Sequence, residues 1–404
     1  MSEYNLRGIP NLHSHAFQRA MAGMAEKRLH PTDSFWTWRE TMYDMALKFT
    51  PDDLYAVARL LYMEMLQSGY TTVCEFHYVH HDVDGSPYSP STSMSDALIA
   101  AAESTGIALT LLPVLYMTSH LDGSPLVDKQ RRFGHSVESY LQDWESLSAK
   151  QSNSMRLGCA FHSLRAVPLD AMQMIVDELP KATPLHIHIA EQLAEVNECV
   201  RLRGARPVEW LLDNVDVDDR WSLVHATHLS AAEVERTAAS GACVVICPTT
   251  EANLGDGIFP AKQYAEFKGR WGIGSDSHIS VSPVEELRWL EYAQRLSTHQ
   301  RTVLATDDQS SVAQNMLDAI KLSGPNSTGF SEAELDTHVI TLDSEAPAFI
   351  GSTDHDAADR WIFSGNRNVV KDVLIDGRQV ISNGEHAQQD EIVRDYRKAL
   401  TRLA

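Results

Sequence analysis

The sequence predicts an α/β fold, a (β/α)8 TIM barrel followed by a small β element, on two observations. Eight short apolar or β-branched runs recur along the chain, and helical patterns separate them, as parallel βα units require. No glycine-rich phosphate loop follows the first run, which disfavours the alternative of an open, doubly wound sheet. The eight predicted strands are 8–13, 71–79, 108–117, 155–164, 184–191, 221–229, 242–250 and 271–279.

Helical patterns fill the intervals between these runs. The helix that starts near residue 52 follows Thr50-Pro51-Asp52-Asp53, an N-cap with proline and acidic residues in the first turn. After the eighth run, 283–296 and 312–322 read as helices that close the barrel. The other predicted helices are 95–104, 137–148, 169–179 and 231–239.

The pattern divides the chain into a short N-terminal segment (1–8), a barrel (9–330) and a C-terminal β element with a terminal helix (331–404). Inside the barrel, residues 16–50 form a long insertion rich in Met, Trp and Phe, and a loop of that length is usually functional. In the tail, Asp376-Gly377 between apolar residues predicts a hairpin. The predicted tail strands are 338–342, 361–364 and 369–381.

Composition narrows the class of partner. The 404 residues include 34 Lys+Arg and 55 Asp+Glu, a net charge of −21 with His neutral, so we expect neither nucleic acid nor an anionic membrane as a partner. The five cysteines are few, odd in number and scattered, which indicates reduced thiols and a cytoplasmic location. The N-terminus has no apolar core of a signal peptide, and no apolar run approaches the ~20 residues of a membrane span.

Histidines and one aspartate stand at the ends of predicted strands. His13 and His15 close the first strand, His188 the fifth, His225 the sixth and Asp276 the eighth. In a barrel, these positions lie together on the C-terminal rim, where active sites of this fold form. Three imidazoles and one carboxylate suit one Zn²⁺ with room for a water, and such a set also accepts Fe²⁺ or Mn²⁺.

Glu191 lies three residues beyond His188 and is placed to move protons between water and a leaving group. Taken alone, it also suits a first-turn acid of the following helix. Asp276 can bind metal and accept a proton from water. No lysine lies near the end of the fourth strand, so a carbamylated lysine between two metals is not expected and one metal per chain fits better.

Three segments resemble the amidohydrolase superfamily: PNLHSHAFQRA at 10–20, HIAEQ at 188–192 and GSDSH at 274–278. The first and third, together with EFHY at 75–78 and FHSLR at 161–165, resemble the formimidoylglutamate deiminases of histidine degradation. The resemblance runs from about residue 10 to 386. It implies a metal-dependent hydrolase barrel and hydrolysis of the C=N bond of N-formimino-L-glutamate to N-formyl-L-glutamate and ammonia.

The resemblance also implies a role for each matching residue. The zinc ligands would be His13, His15, His188 and Asp276, with Glu191 as proton shuttle and His225 polarising water or substrate. The substrate-binding positions would be Gln18, Arg39, Tyr78, His162 and Arg165. Planar arginine forks suit a dicarboxylate substrate, because each binds a carboxylate bidentately.

The resemblance further implies strands ahead of the first barrel strand, where only residues 1–8 stand. We therefore expect the tail strands to lack partners and to leave exposed edges or an apolar patch. Either the start is truncated, or a dimer partner or altered packing covers that face, and we expect a homodimer. Three alternatives to the leading function stay open. They are hydrolysis of formimino-aspartate, deamination of a purine such as guanine, and a non-catalytic metal-binding remnant.

Other chemistry-bearing residues have plainer interpretations. Cys243 and Cys247 fall on one face of an apolar strand and read as core packing. The group His77, His80 and His81 is interpreted as a solvated loop rather than a second metal site. The methionines of the opening insertion suggest an adaptable packing or dimer surface; they are Met21, Met24, Met42 and Met45.

Overall fold

Eight parallel strands form a nearly closed barrel in the computed structural model, which describes residues 4–27, 35–353 and 355–404. Each strand overlaps one of the eight predicted runs and extends at most one residue beyond it, so the predicted barrel is confirmed. The fourth is divided at Gly158 into two short pieces. In order, the strands are Ile9–Ser14, Tyr70–His77, Ala108–Leu115, Met155–Leu157 with Cys159–Ser163, Leu185–Ile189, Trp221–His225, Cys243–Ile246 and Arg270–Ile273.

The first and eighth strands meet just beyond the end of the eighth. Asp276 N donates to His13 O at 3.0 Å, and His15 N donates to Asp276 O at 3.3 Å. Gly274 permits this approach, because a Cβ there would lie 2.6 Å from the Cβ of His13. The closure thus sets Asp276 beside both histidines of the first strand.

Helices surround the barrel in the order that βα units require. Thr50 caps one of them as predicted, since its side chain accepts from Asp53 N and Asp53 bonds back to Thr50. Short 3-10 helices are Ala16–Met21, Asp128–Phe133 and Pro347–Phe349. The α-helices are Phe35–Ala46, Pro51–Ser68, Ser93–Thr105, Val137–Ser148, Leu169–Glu178, Leu193–Arg203, Pro207–Asn214, Ala231–Ser240, Pro248–Leu254, Ala261–Glu266, Pro283–Thr298, Val312–Thr328, Glu332–Leu335, Ala357–Phe363 and Gln389–Leu403.

The helix Val312–Thr328 ends against the N-terminal side of the barrel. Its Ser327 carbonyl accepts from His186 Nε2 at 2.9 Å, and its Thr328 carbonyl accepts from Thr110 Oγ1 at 2.7 Å. Burial lowers the pKa of His186 to about 4, so this imidazole is neutral and structural. His186 and His188 stand two residues apart on the fifth strand, but His186 lies in the packed interior of the barrel whereas His188 lies at its C-terminal rim.

The tail forms an antiparallel sheet whose edge is the strand Tyr4–Arg7. That strand pairs with Val339–Leu342, so the expectation that the tail strands lack an N-terminal partner is wrong. The segment 361–364, expected as a strand, lies instead at the end of the helix Ala357–Phe363, where Trp361 and Ile362 are buried. The remaining strands of this sheet are Val370–Ile375, Arg378–Ser382 and Glu385–His386.

The insertion at 16–50 is largely helical rather than a loop. Arg39 therefore lies in the helix Phe35–Ala46, and residues 28–34 of the insertion lie outside the described part. Buried Arg132 holds the end of the insertion, donating from Nη2 to Phe49 O at 3.0 Å and from Nη1 to Ala46 O. Across the described ranges, no helix combines the length and the hydropathy needed to cross a membrane.

Candidate active site

The side chains of His13, His15, His188 and Asp276 converge at the carboxyl ends of the strands. His188 Nε2 lies 3.1 Å from His13 Nε2 and 3.3 Å from His15 Nε2. Asp276 Oδ1 is 3.4 Å from the Nε2 atoms of His13 and His15. Three ring nitrogens and one carboxylate oxygen therefore surround one point.

Hydrogen bonds to backbone carbonyls orient two of these rings. His15 Nδ1 lies 2.8 Å from Phe76 O, and His188 Nδ1 lies 2.9 Å from His162 O, so we assign the ring proton to Nδ1 in each. Burial lowers the pKa of both imidazoles, which keeps them neutral. The Nε2 lone pairs then face one another across about 3 Å, an arrangement that fits a shared divalent cation and is the donor set that zinc favours.

His225 lies between two carboxylates beside this cluster. Its Nε2 is 3.8 Å from Glu191 Oε1 and 3.8 Å from Asp276 Oδ2, while its Nδ1 is 3.2 Å from Glu251 Oε1. Burial alone would lower its pKa, but Glu191 and Glu251 raise it well above the ordinary value. The sequence analysis missed Glu251, because this residue lies in the helix Pro248–Leu254 after the seventh strand, away from the motifs.

Glu195, which the sequence analysis also missed, fixes the backbone turn that carries Glu191. The two carboxylate oxygens of Glu195 accept from Ala190 N and Glu191 N, each at 3.0 Å. Ala190 has φ of 51°, a left-handed conformation that costs a non-glycine residue about 1–2 kcal/mol. The Glu195 carboxylate therefore holds a strained turn from which the Glu191 side chain projects.

The environment of Glu191 suits proton transfer near neutral pH. Burial raises its pKa to about 7, with Asp276 and other carboxylates adding to the effect and His225 opposing it. A carboxyl group with this pKa is present in both protonation states near pH 7, as a proton shuttle must be. Positive φ angles also occur at His225 (69°) and Asp276 (44°), so backbone strain gathers at the rim.

A cavity of about 340 Å³ opens above this cluster and is lined by all five predicted substrate-binding residues, namely Gln18, Arg39, Tyr78, His162 and Arg165. Arg165 is partly buried, and its Nη1 donates to Tyr116 Oη at 3.0 Å and Ser119 O at 2.9 Å. Burial, with Arg165 nearby, lowers the pKa of His162 well below its ordinary value. The cavity thus joins a metal-type cluster to two arginines.

Histidines 77, 80 and 81 do not form a solvated loop as expected. All three are buried, and the rings of His80 and His81 pack on His135 at centroid distances of 4.4 and 4.8 Å. The loop backbone explains this burial, because His80 N and His81 N both donate to Arg132 O at 3.0 Å. Cys243 and Cys247 are buried free thiols, and Cys247 additionally lies near the donor atoms of His225 and Glu251.

The four side chains His13, His15, His188 and Asp276 form a cluster at the C-terminal rim of the barrel, called the rim cluster below. The barrel and this cluster are both consistent with the match of the chain to the family model for the amidohydrolase family. That model matches residues 7–322, more than half of the chain, and the chain therefore belongs to the amidohydrolase family, a family of metal-dependent hydrolases.

Individual relatives narrow the comparison. The chain is 46% identical to a formimidoylglutamate deiminase of Pseudomonas aeruginosa, across 98% of this chain and 89% of that protein. It superposes on the crystal structure of an amidohydrolase from Brucella melitensis with a TM-score of 0.94 and 44% identity, over 99% and 89% of the two chains. An adenosine deaminase from Xanthomonas campestris with bound zinc, at 21% identity and a TM-score of 0.81, shares the fold.

Proposed function

We propose that this protein hydrolyses N-formimino-L-glutamate to N-formyl-L-glutamate and ammonia with one zinc ion per chain. The observation that carries the proposal is a single cavity that joins the rim cluster to two arginines, Arg39 and Arg165. The formimino group needs an activated water, and the two carboxylates of the substrate need fixed cations. The activity named for the Pseudomonas aeruginosa relative agrees with this reading.

The residues proposed to hold zinc are His13, His15, His188 and Asp276. Bound there, a zinc ion would supply the Lewis acidity that activates water at neutral pH. The protein supplies what that chemistry needs, since burial keeps the imidazoles neutral and able to donate a lone pair.

Proton movement falls to Asp276, Glu191 and His225. Asp276 accepts a proton as water adds to the formimino carbon, and Glu191 delivers a proton to the departing nitrogen, so water and the C=N compound become a formamide and ammonia. His225 Nε2 stands 3.8 Å from the nearest oxygen of each carboxylate and stabilises the negative charge of the tetrahedral species. Its raised pKa keeps it positively charged for that purpose.

The two arginines of the cavity favour this substrate over a purine. The Arg165 guanidinium is held by Tyr116 and Ser119 and faces a cavity that also contains Arg39. A dicarboxylate offers a carboxylate to each guanidinium, whereas a neutral purine offers none to either. Formimino-aspartate carries the same two carboxylates with one methylene fewer, and it belongs in the assay as the competing substrate.

The experiment is ammonia release by zinc-loaded protein from N-formimino-L-glutamate, with N-formimino-L-aspartate and guanine in parallel. We expect turnover of the glutamate compound with the highest kcat/KM. Preference for the aspartate compound or for guanine reassigns the substrate. Absence of turnover in a zinc-loaded, folded protein overturns the proposed activity.

Three further assignments accompany this proposal. We propose a cytoplasmic enzyme, which its five buried free cysteines suit. We also propose a homodimer, to be measured by light scattering. The division into a segment 1–8, a barrel 9–330 and a tail 331–404 completes the proposal, although strand Tyr4–Arg7 pairs with the tail sheet.

A further inference from the structure

The Gln130 side chain is fixed in one orientation inside the protein. Its Oε1 accepts from Val127 N at 3.1 Å, which identifies the oxygen end of the amide. Its Nε2 therefore donates to two tyrosine hydroxyls, Tyr43 Oη at 3.2 Å and Tyr116 Oη at 3.0 Å. Both phenol oxygens are acceptors in these bonds, so each hydroxyl proton must point elsewhere.

Tyr43 and Tyr116 differ in where that proton can go. Tyr43 lines the cavity above the rim cluster, whereas the Tyr116 ring lies behind it and is 1% exposed. Within the described ranges, no side chain or carbonyl accepts from Tyr43 Oη, and a buried hydroxyl proton without an acceptor is costly. The open direction for this proton is the cavity.

Tyr78 shows the contrasting case on the same wall. Its Oη accepts from Gln18 Nε2 at 3.0 Å and donates to Met42 Sδ at 3.6 Å, so its proton already has an acceptor in the protein. Tyr43 also packs against Arg39, whose guanidinium carbon is 5.5 Å from the Tyr43 ring centroid. A donor beside a cation, facing a cavity, is suited to an anion.

We propose that Tyr43 is a further substrate-binding residue, whose hydroxyl donates to one carboxylate of the dicarboxylate substrate while Gln130 fixes its direction. This inference rests on the proposed function for the identity of the substrate. Burial raises the pKa of Tyr43 to about 12, so the phenol keeps the proton it donates. The α-carboxylate and the side-chain carboxylate are the two acceptors that the test must separate.

The test compares zinc-loaded wild-type protein with Tyr43→Phe. Calorimetry gives Kd for N-formyl-L-glutamate, and ammonia release gives kcat/KM for N-formimino-L-glutamate and two analogues. N-formimino-4-aminobutyrate lacks the α-carboxylate, and N-formimino-2-aminobutyrate lacks the side-chain carboxylate. The matched control is Tyr140→Phe, which removes a buried hydroxyl that donates to Pro113 O at 3.0 Å, away from the cavity.

We expect Tyr43→Phe to raise Kd for N-formyl-L-glutamate about tenfold to a hundredfold, the range for a hydrogen bond to a charged group. Its kcat/KM should fall similarly for the diacid and for one analogue, and by less than about twofold for the analogue that lacks the contacted carboxylate. Tyr140→Phe should change neither quantity. Metal content and melting temperature of each variant verify that it is folded and loaded.

An unchanged Kd in Tyr43→Phe, or an equal loss of kcat/KM for all three substrates, overturns the role of Tyr43. These outcomes leave the proposed function standing if wild-type protein turns over the diacid. Conversely, wild-type protein without turnover that binds N-formyl-L-glutamate in a Tyr43-dependent manner overturns the proposed reaction and supports Tyr43 as a carboxylate donor. Absence of both turnover and binding overturns both.

Discussion

Replacing Glu195 with glutamine should destabilise the backbone turn that positions the Glu191 side chain. The two oxygens of Glu195 each accept one backbone N–H at 3.0 Å, from Ala190 and from Glu191. Glutamine offers one oxygen and one NH₂ group, so one backbone N–H would face another donor. The Glu191 side chain should then lose its fixed position relative to His225 Nε2, now 3.8 Å from Glu191 Oε1.

The size of the effect follows from the contacts. Losing one hydrogen bond to a charged acceptor costs about 1.5–3 kcal/mol. Ala190 has a strained left-handed backbone with φ of 51°, so the turn should relax once its hydrogen bonds to Glu195 are weakened. If that energy acts on the placement of Glu191, kcat falls roughly tenfold to a hundredfold, since 1.36 kcal/mol corresponds to a factor of ten.

The assay is steady-state ammonia release with metal content measured on the same sample. Glu198→Gln is the matched control, because Glu198 lines the same cavity and bonds to no backbone N–H of this turn in the described structure. We expect Glu195→Gln to lower kcat with little change in KM and full metal occupancy, and Glu198→Gln to resemble wild type. A kcat within about twofold of wild type in fully loaded Glu195→Gln would refute the reasoning.

Three further predictions follow from the site. Chelation should abolish activity and lower Tm by about 3 °C in a thermal scan, because a ligand at a hundred times its Kd stabilises by about 2.7 kcal/mol and a chain of this length unfolds with an entropy of about 0.85 kcal/mol per kelvin. An unchanged Tm counts against a bound metal. Arg165→Lys should lower kcat/KM about tenfold to a hundredfold, mainly through KM, since lysine cannot reproduce the planar fork; an effect confined to kcat would contradict a binding role. Gly274→Ala should reduce metal content measured by elemental analysis, because its Cβ would lie 2.6 Å from His13 Cβ, and full occupancy would show that the strands can separate.

The metal-type residues at strand ends could be predicted from the sequence, because the position of a strand depends on the local pattern of apolar residues. His13 and His15 are two residues apart on a strand, so they share a face, and a barrel brings every strand end to one rim. His188 and Asp276 joined them by the same reasoning, and their donor atoms indeed lie within 3.1–3.4 Å of the first-strand imidazoles.

The sequence could not predict the roles of residues that bond to the backbone or that contact residues far away in the chain. Glu195 bonds to N–H groups, which no sequence pattern displays, and Gln130 meets Tyr43 across 87 positions of chain. Trp361 falls in a short apolar segment that suits a strand, yet packing selects the helix Ala357–Phe363. Polar composition suggested a solvated loop at His80, but hydrogen bonds to Arg132 bury it.

The pairing of Tyr4–Arg7 with Val339–Leu342 has a consequence for biosynthesis. During translation, the strand Tyr4–Arg7 leaves the ribosome more than 300 residues before its partner Val339–Leu342. At ~5–20 residues per second, that interval is on the order of half a minute. Throughout it, the nascent chain exposes an unpaired strand edge, a template for association with other chains. The barrel can assemble vectorially, but the sheet that joins the two ends of the chain is completed only after synthesis reaches the tail.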